Sequence, residues 1–369
     1  MPRSQLSPLV LTALAAVVSI SCRTETIEYE PGDNLTYYSS PTLTPCAGTP
    51  EDLDNYVSFL RREFAFEEAP DPELQYRWLT AGAFSREVGR EIVGIAMGRV
   101  SRSRDPSLPH ELVHSLLDVY GYSSGGSFFD EGIASFYNPG GEMQSLGRVL
   151  AGDGLWARDR ELWSEVFNID YTLAGTFTAF LLYRYGPKKF LALIRRLGPW
   201  AANRPLVEQN FYEVYGRDIE EEFLRFRRSS AEEICSEEGF PMGLYECTVG
   251  DPEPLGIEWT RIWSATCDDE ESLGGVGSDY YDRIFVRYTF EVEEETEVRF
   301  QLIDRSGTAV VGIGSCGPCP FMWSHTHFDK DEPIGTLVLE KGVHYVQIMI
   351  PEEPGNEIAI QIVPLWFWR

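Results

Sequence analysis

The spacing of apolar residues changes character once, near Cys247, and that change divides the chain. Before it, apolar residues recur every three or four positions, as in helices that bury one face. Leu53, Tyr56, Val57, Leu60 and Phe64 show this spacing over 51–66. Further helical stretches run over 171–197, broken at Gly186-Pro187, and over 211–226, after turn residues at Asn203-Arg204-Pro205. Two short strands are expected among the helices, at 75–79 and 91–96. After Cys247, apolar and polar residues alternate over 283–292, 297–302, 336–339, 344–350 and 357–362. Short alternating strands with Gly, Asp and Pro between them predict an all-β sandwich. The expected fold is an α+β domain over 47–236, a small sheet plus mostly helices, followed by a β-sandwich over 245–369. A chain of 369 residues accommodates both.

Ahead of these domains stand a single positive charge, Arg3, an apolar run over 9–18, and Ser19-Ile20-Ser21-Cys22. This layout reads as a secretory signal over 1–22, too short for a comfortable membrane span. Small residues before Cys22 resemble a bacterial lipoprotein cleavage site, in which the cysteine is lipidated and becomes the mature N-terminus. That resemblance implies a membrane anchor through Cys22 and, with Arg23 following, an outer-membrane destination; simple secretion is the alternative. Residues 23–46 are rich in Thr, Ser, Pro, Glu and Tyr without a period, and read as a flexible tether.

Six cysteines remain beyond the signal: Cys46, Cys235, Cys247, Cys267, Cys316 and Cys319. An even number in an exported chain points to disulfides, with about 15 possible pairings. Cys46 and Cys235 flank the helical domain and could join its ends. Cys247 and Cys267 could close a loop, and Cys316-Gly-Pro-Cys319 could bridge locally. The net charge of −27 argues against nucleic acid as a partner and against a polybasic patch for anionic lipid.

The chemistry concentrates at His110-Glu111-Leu112-Val113-His114. On a helix, residues four apart share a face, so both imidazoles can bind one zinc ion, with Glu111 placed as a general base. Pro106 and Pro109 punctuate the approach, and proline is tolerated in a first helical turn. Leu112, Val113, Leu116, Leu117 and Tyr120 give the helix a broad apolar back, and Gly121 closes it. A catalytic zinc needs a third protein ligand. Glu131, in Phe129-Asp130-Glu131-Gly132-Ile133-Ala134, is the candidate, with Asp130 the adjacent alternative.

These motifs resemble the gluzincin metallopeptidases, in which the zinc-binding motif is followed by a second helix carrying Glu-Gly-x-Ala. Sixteen residues separate His114 from Glu131, a few fewer than in thermolysin-like members. The resemblance covers about 50–230. It implies His110, His114 and Glu131 as ligands and Glu111 as the base. The run opening at Tyr171, with Ala174 three positions on and Gly186 closing, resembles the gluzincin helix that begins with a transition-state tyrosine. Tyr171 is thus the candidate oxyanion donor, and a core tyrosine at a helix start is the plain reading beside it. No Gly-x-Met-Glu-Asn exopeptidase anchor is present. The expected activity is zinc-dependent hydrolysis of peptide or protein substrates at the bacterial cell envelope, as an endopeptidase. The alternative is a binding lipoprotein with the peptidase fold and no activity.

The segment 337–346 resembles the closing hairpin of jelly-roll accessory domains found after secreted bacterial peptidases. Three other features read plainly. His325 and His327 would share one side of a strand, but surface histidines beside a disulfide are the better reading. Leu365-Trp366-Phe367-Trp368 reads as a packed last strand, and Glu293-Glu294-Glu295 as a solvated turn.

Overall fold

A computed structural model of the chain describes residues 25–71, 73–89, 92–122, 128–137, 171–198, 204–229, 245–278, 282–316, 326–350 and 356–365. The first sheet has five strands. In spatial order they are β1 (Ile27–Glu28), β2 (Leu35–Ser39), β4 (Leu74–Trp78), β6 (Val100–Ser103) and β5 (Gly94–Met97). β2, β4 and β6 run parallel, and β1 and β5 pair antiparallel at the two edges. Parallel neighbours need crossovers, and α1 (Thr49–Glu63) connects β2 to β4. Its buried Leu53, Tyr56, Val57 and Leu60 follow the helical spacing of the sequence. α2 (Ala81–Val88) follows β4, capped by the Thr80 hydroxyl, which accepts from the Ala83 N–H.

Residues 25–46 correct the tether reading. They form β1, β2 and a short strand β3 (Thr44–Pro45). Tyr37 on β2 is buried, and its hydroxyl donates to the Pro106 carbonyl. Tyr76 on β4 stacks on it at 5.4 Å. The Tyr76 hydroxyl donates to the Asp105 carbonyl and accepts from the Leu108 N–H. Thr, Ser and Tyr look solvated in a bare sequence, but here the Ser39 and Tyr37 hydroxyls donate to backbone carbonyls and that of Thr36 to the Glu73 carboxylate, so the segment is free to bury.

The two tyrosines therefore hold the loop that launches α3 (Pro109–Val119). Pro109 occupies its first turn, and Leu112, Val113, Leu116 and Leu117 are fully buried. The helix ends at Gly121 (φ 75°), where Tyr122 N–H bonds back to the Leu117 carbonyl at 2.8 Å. Then come α4 (Phe128–Tyr137), α5 (Tyr171–Tyr185), α6 (Pro187–Leu197), α7 (Arg204–Tyr215) and α8 (Ile219–Arg228). The break at Gly186 falls where Pro187 predicted it. The helix expected over 211–226 is instead two helices, and Arg204-Pro205 opens α7 rather than forming a turn. Gly216 (φ 68°) stops α7, and the Asp218 carboxylate caps α8 by accepting from Glu220 N–H and Glu221 N–H.

The C-terminal half is a two-sheet β-sandwich. One sheet of seven strands orders β13 (Thr326–Phe328), β12 (Val310–Ser315), β15 (Gly342–Ile350), β10 (Arg283–Val292), β9 (Leu273–Val276) and β3, with β7 (Glu253–Pro254) pairing β10. The other orders β14 (Ile334–Leu339), β11 (Thr296–Asp304), β16 (Asn356–Pro364) and β8 (Trp259–Ala265). Alternation puts Val286, Phe290, Val346 and Ile348 of one sheet against Trp263, Val298, Phe300, Ile358 and Ile360 of the other. Each fully buried side chain of this kind contributes about 1.5–3 kcal/mol. Glu293, Glu294 and Glu295 form an exposed bend between β10 and β11, as expected. β16 ends at Pro364, before the aromatic tail; 366–369 lie outside the described residues, as does His325.

The disulfides differ from the pairings expected. Cys46 joins Cys267, and Cys247 joins Cys316. Cys247 thus does not close a loop with Cys267, and Cys316 does not bridge locally. Cys235 and Cys319 lie outside the described residues, as do the signal and Cys22. Sequence order cannot anticipate these partners, because β3 adds the N-terminal segment to the C-terminal sheet and carries Cys46 with it. The same seam buries Arg287 of β10 against Asp52 of α1 at 3.3 Å, and Tyr245 donates to that carboxylate. Two disulfides favour an oxidising, extracytoplasmic setting. Among the described residues no helix is long and apolar enough to cross a membrane.

Candidate metal centre

His110 and His114 stand one turn apart on α3, and α4 crosses their exposed face. Gly132 lets α4 pack closely on α5. A Cβ there would lie 2.3 Å from Thr178 Oγ1 and 2.6 Å from the Ala174 carbonyl oxygen, both on α5. The Gly-x-Ala after Glu131 is therefore a packing device that seats α4.

The seating brings Glu131 onto both histidines. Its Oε2 lies 3.0 Å from His110 Nε2 and 3.4 Å from His114 Nε2, and the two imidazole nitrogens are 3.2 Å apart. Ligands about 2.0–2.2 Å from a tetrahedral zinc are about 3.3–3.5 Å from one another. The triangle of donor atoms has nearly these dimensions, and its chemistry, two imidazoles and one carboxylate, suits zinc. His110, His114 and Glu131 keep 13, 14 and 18 % of their side-chain surface open, so the triangle is accessible.

Asp130 faces the opposite side of His114. Successive helical residues point about 100° apart, and Asp130 Oδ1 lies 3.4 Å from His114 Nδ1 while Glu131 takes the Nε2 side. A carboxylate at that distance interacts with Nδ1 electrostatically and leaves Nε2 turned toward His110 and Glu131. Sequence reasoning weighed Asp130 only as a substitute ligand; its orienting place needed the helix crossing to be seen.

The charges follow from this packing. Burial pulls the His114 imidazole down, but Asp130 and then Glu131 override it and hold it well above its usual value. Burial pushes Glu131 up, and the hydrogen bonds of His110 and His114 outweigh it, leaving the carboxyl well below its usual range.

Glu111 points from the same helix toward the edge strand β5. Burial raises its carboxyl, with the two histidines opposing, and the Ala96 N–H donates to it. Gly94 permits this approach, since a Cβ there would meet Glu111 Cγ at 2.7 Å and Oε1 at 2.9 Å. From behind, the Ser101 hydroxyl donates to the Glu111 carbonyl and bonds Ser115 at 2.8 Å, tying α3 to β6. A glycine within an apolar strand was the one signal that could have marked Gly94. Tyr171 opens α5 with its ring 6.0 Å from that of His110, and it is half exposed. The structure thus brings His110, Glu111, His114, Glu131 and Tyr171 to one place.

No family model matches the chain, and no curated protein matches it. Two solved structures are similar over part of it. One is PliG of Aeromonas hydrophila, a periplasmic inhibitor of g-type lysozyme, at 12 % identity over 30 % of this chain and 95 % of that one, with a TM-score of 0.20. The other is the pre-peptidase C-terminal domain of a Bacillus anthracis collagenase, at 10 % identity over 31 % and 94 %, with a TM-score of 0.18. At these scores neither bears on function.

Proposed function

We propose that the chain is a zinc-dependent endopeptidase of the bacterial cell envelope, gluzincin-like in its catalytic half, anchored through a lipid on Cys22 and carrying a jelly-roll-like accessory domain. The observation behind this reading is the convergence of His110 Nε2, His114 Nε2 and Glu131 Oε2, all within 4.8 Å of one another, with Glu111 on the same helix. When bound, zinc supplies Lewis acidity toward a carbonyl and lowers the pKa of water. The three ligands would hold it, and Asp130 would keep His114 in the ligating tautomer.

Glu111 takes the proton of the attacking water and delivers it to the leaving amine. The raised affinity of its carboxyl for protons suits both halves of that task, acceptor first and donor after. The Ala96 N–H and Gly94 backbone hold it in position. Tyr171 stands beside His110, and its hydroxyl is the proposed donor to the oxyanion.

The test pairs metal content with turnover. The wild-type chain should bind one zinc and cleave unstructured protein substrates. Glu111→Gln should keep the zinc and lose cleavage by about 10²–10⁴-fold. Absence of stoichiometric zinc in the wild type would end the metallopeptidase reading. Zinc without turnover in either form would favour the inactive, binding lipoprotein.

A further inference from the structure

The far end of α5 carries a second concentration of charge that neither the metal centre nor the seam uses. Phe180, Tyr183 and Arg184 of α5, Arg217 in the turn, and α8 enclose a recess of about 590 Å³. Four of its side chains are Arg184, Arg217, Arg225 and Arg228, against two carboxylates, Glu221 and Glu222. A local excess of positive charge thus sits in a chain of net charge −27. Along the helix, Arg184 is about 20 Å from Tyr171, so the two sites are separate.

Glu222 is the anomaly within it. Its side chain is 2 % exposed, yet Arg184 Nε is 3.6 Å from Oε1, and Arg217 Nε and Arg225 Nη1 are 3.8 and 3.6 Å from Oε2. None of the three reaches hydrogen-bond distance. Oε1 has no partner within hydrogen-bond distance among the described residues; the Tyr185 hydroxyl approaches the Glu222 carboxylate from beyond that distance, and the buried Tyr215 hydroxyl has no partner among the described residues. Three guanidiniums, five donors each, converge without spending those donors on the carboxylate they surround. They suit an anion with several oxygens, which arginine forks grip in pairs. The unmet, buried oxygen of Glu222 suits a ligand that also brings a proton.

We propose that this recess binds a protonated phosphate group, with Arg184, Arg217 and Arg225 on its oxygens and Glu222 accepting its P–O–H. Hydrogen phosphate carries such a proton near neutral pH, and a phosphate monoester carries it in the monoanionic form that prevails below its second pKa of about 6, whereas sulfate and phosphodiesters do not. The ligand is free phosphate, a soluble monoester, or a monoester lipid headgroup.

Calorimetry on the full chain with inorganic phosphate and with sulfate, at equal ionic strength and pH 7, tests the inference without any variant. Phosphate should bind at least about tenfold tighter than sulfate, the factor one charge-assisted hydrogen bond supplies. Replacing the half-exposed arginines, Arg184→Gln with Arg217→Gln, should weaken phosphate about tenfold or more while circular dichroism stays unchanged. Glu222→Gln should remove the preference for phosphate over sulfate. Vesicles of phosphatidylcholine doped with phosphatidic acid, or with phosphatidylglycerol, separate the sources. Binding to phosphatidic acid alone, lost in the arginine variant, would assign a lipid headgroup; phosphate binding without vesicle binding would assign a soluble ligand. Equal affinity for phosphate and sulfate would overturn the proposal, as would no binding to phosphate at about 10 mM and to either vesicle.

Discussion

The two halves of the chain bury polar groups to different ends. In the α+β half, Ser101, Asp105, Glu111, Ser115 and Asp130 are buried around one helix, each aimed at a particular partner. In the sandwich, the two-sheet core is apolar, and the buried ionic groups Arg287 and Glu246 gather where it meets α1. The first arrangement fixes the direction of side chains. The second fixes the position of one half against the other. Substitutions in the first half should therefore change chemistry with little loss of stability, and those at the seam should do the reverse.

The sharpest break between the halves is Glu111→Gln. Turnover should fall by about 10²–10⁴-fold with zinc stoichiometry and melting temperature nearly unchanged; a fall in zinc content would make Glu111 a structural residue instead. The seam counterpart is Arg287→Met, which strands Asp52 and Glu246 as buried carboxylates. It should cost about 3–5 kcal/mol in denaturant unfolding, with both halves losing stability together. If the sandwich alone melted early, the seam would not be the shared element described here.

Asp105 tests the boundary between these behaviours through pH. Burial pushes its carboxyl to about 6, with the Ser107 N–H and Arg283 opposing. Tyr37, Tyr76 and Ser103 pack around it from β2, β4 and β6. The folded state thus holds this proton more tightly than the unfolded chain. Its contribution is fully present below about pH 4 and is lost as pH rises through 6, a change of about 3 kcal/mol. Asp105→Asn should flatten that part of the stability profile and leave the variant the more stable of the two above pH 7.

Smaller effects discriminate within the metal centre. Asp130→Asn should weaken zinc about 10- to 100-fold in a chelator competition, because His114 keeps its place but loses its orienting carboxylate. Were Asp130 a ligand, the loss would match that of Glu131→Ala. Gly94→Ala should leave zinc affinity intact and lower turnover about tenfold, by displacing Glu111 from β5.

What the sequence disclosed follows the same division. The motif helix was legible because a 3.6-residue period, two prolines and a closing glycine are all local signals, and α3 carries the period and Pro109 while Pro106 and Gly121 bound it. Glu131 was legible through Gly132, whose packing role now explains the pattern. β10, β11, β15 and β16 were legible because alternation is local too. The losses were all non-local. Nothing near Tyr37 announces that its hydroxyl will find the carbonyl of Pro106, 69 positions away. Nothing near Cys46 announces Cys267, and nothing in Asp130 shows which nitrogen of His114 it will face.

The Cys46–Cys267 bond spans 221 positions, and β3 beside it pairs with β9. The chain is made from its N-terminus, so the α+β half emerges first but is fastened last. Until β9 arrives, Cys46 has no partner and α1 has no seam to rest on. A product cut short before the sandwich would carry every residue of the candidate metal centre and still be unfinished. Completion of the far end thus supplies the covalent partner that the N-terminal segment lacks until then.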